Sequence, residues 1–338
     1  MLDMLADAPV LHRGWRKWIA SNLMNGVDPA KLVDRMVASG LDPEESREAI
    51  DLALSSPAIE AGTEIVRGMR KQRALQRALA QMQIQNGATQ EVPRVEDPEL
   101  FYRDYLWANR PVIVPGLMSD WPALNKWTPD FFVEQFGNEI IEVTADRESD
   151  KFFEDNFVRH RRAMTMRDYV QAIESGGASN DLYLVAKNGL LTNPAFASLR
   201  DDFTTPAGYL DTNCTAYDNA RLWFGPGGTV TPLHHDGSNI FFGQVRGRKE
   251  IKLIAPCFLD YMYNDRTCFS QVDLLDIDFE RFPLMREVAI QTAIVAPGDF
   301  ILLPVGWWHW VRALEPSISL TFHNFHFTGG PVVWHHNT

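Results

Sequence analysis

Thr231-Pro232-Leu233-His234-His235-Asp236 is the stretch on which the reading of this chain turns. Side chains on a strand alternate between its faces, so residues two apart share one face. His234 and Asp236 therefore project together, and His235 projects the other way as a structural residue. Much later comes Gly306-Trp307-Trp308-His309-Trp310, after a turn at Pro297-Gly298-Asp299 and a strand ending at Pro304. In a jelly roll this second strand is expected to face the first across the barrel, bringing His309 to the same point. Two histidines and one carboxylate on one side of a metal leave coordination positions open, the pattern of non-haem Fe(II) oxygen chemistry. Taken singly, each histidine is explained as well by a hydrogen-bonded core or surface role. His323 and His326 lack ligand spacing to His309, and His335 and His336 belong to a C-terminal tail.

The next informative residue is Lys249. Val245-Arg246-Gly247-Arg248-Lys249 reads as a hairpin turn leading into a strand. Period two then puts Lys249, Ile251 and Leu253 on one face, with Glu250 and Lys252 on the other. An ammonium among apolar side chains needs a counter-anion, or else must reach out past the barrel rim. A dicarboxylate cosubstrate meets the first need: one end chelates the metal and the far carboxylate reaches the lysine.

Around these motifs the chain changes texture once. Residues 1 to about 86 read as helical. Asp28-Pro29 and Asp42-Pro43 are each a capping residue followed by proline at the first helical position, and Glu45 completes a capping box. Gly40 stops the first of these helices. A long third helix is expected from about Pro57 to Gln85, with an apolar stripe at Ile65, Met69, Leu75, Leu79 and Met82. Such a stripe needs cover, from the rest of the chain or from a second copy in a homodimer. Gln85 to Thr89 reads as a linker. From about residue 92 short β-rich runs alternate with Pro and Gly turns, among them Pro111–Pro115, Ile140–Thr144, Leu182–Val185, Ile240–Val245, Glu250–Ile254, Thr292–Val295, Phe300–Leu303 and Ile318–Phe322. Short helices are expected at Pro129–Gln135 and Met166–Ser175. Many short strands between turns read as a sandwich or jelly roll. The expected architecture is mainly β with helices (α+β): a small helical domain at 1–86, then a jelly-roll catalytic domain at 92–328.

Composition narrows the function classes. The chain has 338 residues, 45% hydrophobic and 22% charged, ordinary for a globular protein. Its net charge is −12, from 44 acidic and 32 basic residues, which argues against a nucleic-acid binder. The one dense basic run, Arg159-His160-Arg161-Arg162, reads as a solvated loop or helix start, or as an attractor for an anionic substrate. No apolar run is long enough to span a bilayer, and Met1 to Asp7 lacks the features of a secretory signal. Cys214, Cys257 and Cys268 are too few and too scattered for a disulfide framework, which fits a reducing cytoplasm.

From about Val92 to Phe327 the chain resembles the cupin-like JmjC family of Fe(II)/2-oxoglutarate oxygenases, and is similar to the hypoxia-inducible-factor asparaginyl hydroxylase and its bacterial relatives. The resemblance rests on spaced motifs: Arg110 to Val114, Lys126-Trp127-Thr128, Leu222 to Pro226, Thr231 to Asp236, Gln244 to Lys249, Phe269 to Asp273, and Pro304 to Leu314. It implies a double-stranded β-helix, or cupin, with Fe(II) held by His234, Asp236 and His309, and with 2-oxoglutarate and O2 as cosubstrates. Lys249 matches the lysine that pairs with the distal 2-oxoglutarate carboxylate, and the Thr231 and Tyr183 hydroxyls match its other partners. Asn239 resembles a pocket asparagine, three residues past Asp236 where the asparaginyl hydroxylase has four. Thr321 stands where that enzyme has a cosubstrate-contacting asparagine, and His323 where tryptophan is common. Trp223, Trp307, Trp308 and Phe242 are expected to form dry walls. The implied reaction hydroxylates an unactivated C–H bond of a protein or peptide side chain, or of a small metabolite. No chromatin-reading module accompanies the motifs, which favours hydroxylation over histone demethylation. The alternative is a metal-binding cupin without oxygenase activity, an isomerase-like enzyme or a binding module, which has no evident use for an inward Lys249 and Thr231.

Overall fold

The computed structural model describes residues 12–85, 91–213, 220–264 and 267–326. The N-terminal heptapeptide, most of the linker, Cys214 and the His335-His336 tail lie outside the described residues. Compactness divides the chain into two units, Met1–Leu79 and Ala80–Thr338.

The first unit is helical: α1 (Arg13–Met24), α2 (Pro29–Ala38), α3 (Pro43–Leu54) and most of α4 (Pro57–Gln85). The start signals act as expected. The Asp28 side chain accepts from the Ala30 amide, and Asp42 accepts from Glu44 and Glu45, with proline at the first helical position each time. Gly40 ends α2 at a φ of 92°, where a side chain would be strained. Ile19, Leu23, Leu32, Met36 and Ile50 form the core of this unit. The stripe on α4 stays largely uncovered, with Ile65 65% and Leu75 63% exposed.

The second unit contains eleven strands among its described residues: β1 (Val112–Val114), β2 (Ile140–Thr144), β3 (Arg161–Thr165), β4 (Arg221–Gly225), β5 (Val230–His235), β6 (Ile240–Arg246), β7 (Lys249–Ile254), β8 (Gln291–Val295), β9 (Phe300–Leu303), β10 (Trp308–Ala313) and β11 (Ser317–Phe322). One sheet runs β1-β9-β6-β11-β4, a second runs β5-β10-β7-β8, and β2 and β3 form a separate ribbon. All paired strands are antiparallel. From β4 to β11 the chain passes back and forth between the two main sheets, staying in one only at the β7–β8 pair, and this winding makes a double-stranded β-helix. Ile240, Phe242, Ile251, Leu253, Val295, Ile301 and Val311 belong to one apolar cluster, fed by strands of both sheets. A larger aromatic cluster joins the first sheet to its helices, and a third joins Trp308 and Trp310 to Phe258, Met262 and Ala80.

Three details differ from the sequence expectation. Gly247-Arg248 is not a hairpin. β6 bonds to β9 and β11, and β7 bonds to β10 and β8, so the two-residue turn is a corner between sheets. Gly247 has a φ of +67°, and a Cβ there would sit 2.3 Å from the Pro316 carbonyl oxygen. β5 and β10 do not face each other across the barrel; they are hydrogen-bonded neighbours. Leu182–Val185 is no strand, and only isolated bridges from Tyr183 to Thr144 and from Leu184 to Phe224 form there. β3 was also missed, because it is itself largely exposed and so carries no apolar alternation. The basic run before and within it is partnered: His160 meets Asp150, Arg161 meets Glu142, and Arg162 meets Asp146.

Candidate metal centre

The antiparallel register sets His309 directly opposite His234. Asp236 follows one residue past the end of β5. The three residues offer ligand atoms within 4.8 Å of one another, the one such His/Cys/Asp/Glu group among the described residues. Asp236 Oδ2 lies 3.3 Å from His309 Nε2 and 3.8 Å from His234 Nε2. Donors at right angles around an ion, each about 2.1 Å from it, sit about 3 Å apart. The cluster therefore fits a metal with only small adjustment.

Backbone carbonyls fix which nitrogen points inward. His234 Nδ1 lies 2.8 Å from the Pro232 oxygen, and His309 Nδ1 lies 3.0 Å from the Trp307 oxygen. A carbonyl only accepts, so each Nδ1 carries its hydrogen and each Nε2 lone pair faces the cluster. Burial pushes His234 down to about 4, helped by the neighbouring His309, so the ring is a neutral donor at physiological pH. Burial opposes ionisation of Asp236, yet the His309 contact and the nearby imidazoles hold its carboxyl well below the usual range. Phe269 stacks on the His234 ring with centroids 5.3 Å apart.

The cluster opens into a cavity of about 360 Å³ that also contains Thr231, Tyr183, Lys249 and Thr321. Lys249 is 1% exposed, and its Nζ donates to the Tyr183 hydroxyl at 3.0 Å. The rings of Phe242 and Tyr183 lie 5.3 and 5.6 Å from that nitrogen. No acidic side chain of the described residues pairs with it. Burial alone drags this amine down to about 7. The site is thus a pocket that holds a basic side chain with no protein carboxylate beside it among the described residues.

The other expected site residues divide. Thr321 lines the cavity and accepts from the Trp223 indole at 3.3 Å. His323 also lines it, 3.4 Å from the Ser238 hydroxyl, and burial lowers its pKa. Asn239 is not brought into the cavity wall; its side-chain oxygen accepts from the Val305 amide at 2.8 Å and ties down the turn before β10. Trp223 and Phe242 are wall residues, but Trp307 and Trp308 are not. Trp308 alternates away from His309 and packs edge-on against His235 on the far side of the sheet. Trp307 donates to the Asn109 carbonyl instead. The sequence reading passed over Glu154, Lys187 and Arg221, which also line the cavity. Glu154 and Lys187 sit on segments whose approach to the barrel has no local signal, and Arg221 is the first residue of β4.

A double-stranded β-helix with two histidines and a carboxylate at its mouth is the cupin class of metal site. The chain belongs to the cupin-like domain family, which matches residues 98–328. It is similar to lysine-specific demethylase 8 of Danio rerio, 29% identical over 247 residues that make up 69% of this chain and 58% of the relative. It is also similar to lysine-specific demethylase JMJ30 of Arabidopsis thaliana (32% over 236 residues; 66% and 52%) and to Jumonji C domain-containing protein 5 of Drosophila melanogaster (27% over 251 residues; 69% and 59%). The chain spans between half and three-fifths of the length of these relatives. No helix among the described residues is long and apolar enough to cross a membrane.

The unpaired lysine leaves a measurable trace in stability. Unfolded, Lys249 titrates near about 10.4; folded, near about 7. Between these values the unfolded chain binds more protons, so stability rises with pH across that window and is lowest below it. Lys249→Met is expected to be more stable than wild type at pH 6, by roughly 2–4 kcal/mol, and to lose the rise between pH 7 and 10. Denaturant titrations at several pH values check this; parallel pH profiles for the two proteins would contradict it.

Proposed function

We propose that this chain is an Fe(II)- and 2-oxoglutarate-dependent oxygenase acting on a C–H bond of a polypeptide side chain. The observation that carries the reading is Lys249: a buried ammonium without a counter-anion, in the same cavity as three convergent metal ligands. A five-carbon 2-oxo diacid answers both features, with one end suited to the metal and the other to the lysine. When bound, Fe(II) and 2-oxoglutarate would let the site activate O2 as the oxidant, the 2-oxo acid giving up two electrons and leaving as succinate and carbon dioxide.

The chain's own residues do the rest. His234, Asp236 and His309 would hold the metal and leave coordination positions open for the cosubstrates. Lys249, the Tyr183 hydroxyl and Thr231 orient the distal carboxylate and fix which way the diacid enters. Phe242 and Trp223 keep water from that end of the cavity, and Phe269 covers the His234 ring. Arg221 and His323, which lie near each other and near Asp236, are left to face the substrate. The names of two relatives, lysine-specific demethylases, favour a polypeptide over a small metabolite as substrate. Hydroxylation at an N-methyl carbon would release formaldehyde, so one chemistry serves both hydroxylation and demethylation. The proposed setting is the cytoplasm, where Cys257 and Cys268 stay as free thiols.

The purified chain with Fe(II), 2-oxoglutarate and O2 should release succinate slowly without a second substrate. His234→Ala should lower that rate at least about 100-fold. A variant that releases succinate as fast as wild type sinks the assignment.

We also propose a homodimer through α4. Its exposed residues Ile65, Met69, Leu75, Leu79 and Met82 suit a second copy of the same stripe. Ala80 belongs to a core cluster of the second unit, so substitution tests this better than deletion. Light scattering should give a dimer mass that falls to a monomer in Leu75→Asp/Leu79→Asp; an unchanged mass contradicts the dimer.

A further inference from the structure

A second cavity, of about 290 Å³, lies beside the metal pocket and shares the Glu154 and Phe269 side chains with it. Two of its lining residues are buried donors with unused hydrogen-bonding capacity. Arg147 is 1% exposed. Its Nη2 donates to Glu154 Oε1 at 3.1 Å and to the Val230 carbonyl at 2.9 Å, and its guanidinium stacks 4.3 Å from the Phe153 ring. Its Nε and Nη1 have no partner. Trp310, also 1% exposed, presents an indole Nε1 that has none either. Leaving a buried donor unpaired is unfavourable, so two such residues in the wall of one cavity call for acceptors.

The acceptor is not a free anion. Glu154 already balances Arg147, and Glu148, Asp150, Asp155 and Asp273 add four more carboxylates to the lining against a single further cation, Lys151. A neutral carbonyl satisfies the donors without meeting that field, and a cationic group beside it gains from the field. A polypeptide offers both at short spacing. The aromatic walls Phe152 and Phe153 suit the aliphatic stem of a long basic side chain. The two cavities adjoin: Phe269 stacks on His234 and also lines the second cavity, so a segment seated there lies next to the metal cluster.

We propose that this cavity is a docking site for the segment of a polypeptide substrate that flanks the residue at the metal. Backbone carbonyls of that segment meet Arg147 and Trp310, and a lysine or arginine side chain meets the acidic rim. This deepens the polypeptide reading above and rests on it.

The test uses the full chain and two readouts. The probes are blocked octapeptides with a central lysine and a second lysine at varied positions, and the same peptides with glutamate in place of the second lysine. The ¹⁵N–¹H signal of the Trp310 indole, assigned by its disappearance in Trp310→Phe, reports the second cavity; succinate release reports the metal site. Some dilysine peptide should shift the indole signal saturably and bind about fivefold tighter than its glutamate counterpart. Asp273→Asn, at the exposed rim, should shrink that ratio while leaving succinate release without peptide unchanged. An indole signal that no peptide moves, or that moves equally for lysine and glutamate peptides, overturns the docking site. A signal that shifts with the expected preference while no peptide accelerates succinate release supports the docking site and counts against the polypeptide-substrate reading alone.

Discussion

The antiparallel pairing of β5 with β10 is the constraint on which the rest depends. It joins residues far apart in the chain and puts His309 opposite His234 in one register. A one-residue slip would send either histidine to the other face, because the side-chain period of a strand is two. The apolar partners resist such a slip: Leu233, Trp308 and Trp310 fill one cluster on the far side, while Val311 fills another with strands of the opposite sheet. The register that buries the tryptophans is the register that aims the imidazoles. Packing and ligation are specified by the same alternation.

Desolvation then gives the site its chemistry. The same burial that keeps His234 neutral makes Lys249 costly. A protein that sought only stability would place a methionine there. In the proposed function, an ammonium kept beside Tyr183 with no protein carboxylate is the counter-ion position for the cosubstrate. Behind Tyr183 sits the Arg147 guanidinium, 5.1 Å from its ring, so the diacid end of the pocket and the second cavity share a wall of aromatic and cationic groups.

Much of this was legible in the sequence because it is local and periodic. The i, i+2 spacing of His234 and Asp236 and the apolar company of Lys249 can be read from strand alternation alone. The caps of α2 and α3 follow from Asp-Pro pairs, and α4 runs from Pro57 to Gln85 as its pattern indicates. What failed to show was non-local. Gly247-Arg248 has the form of a hairpin turn, and nothing nearby says that its two strands enter different sheets. Trp307 and Trp308 adjoin His309 in sequence, yet alternation and a bond to Asn109 take them out of the cavity. Asn239 resembles a pocket asparagine of the family, at a spacing one residue short, and its side chain serves the Val305 amide instead. Arg147 and Glu154 come from a segment whose approach to the barrel leaves no periodic trace.

The central claim is that Lys249 is held in readiness for the far carboxylate of 2-oxoglutarate. A carboxylate arriving at a lysine that titrates near about 7 raises its proton affinity, so binding above that pH must draw a proton from solution. Anaerobic calorimetric titration of the Fe(II)-loaded protein with 2-oxoglutarate, at about pH 8.5 in buffers of different ionisation enthalpy, counts that proton. The account predicts uptake of about one proton by the wild type and none by Lys249→Met, which should also bind more weakly. Binding without proton uptake, or equal uptake by both proteins, would contradict it.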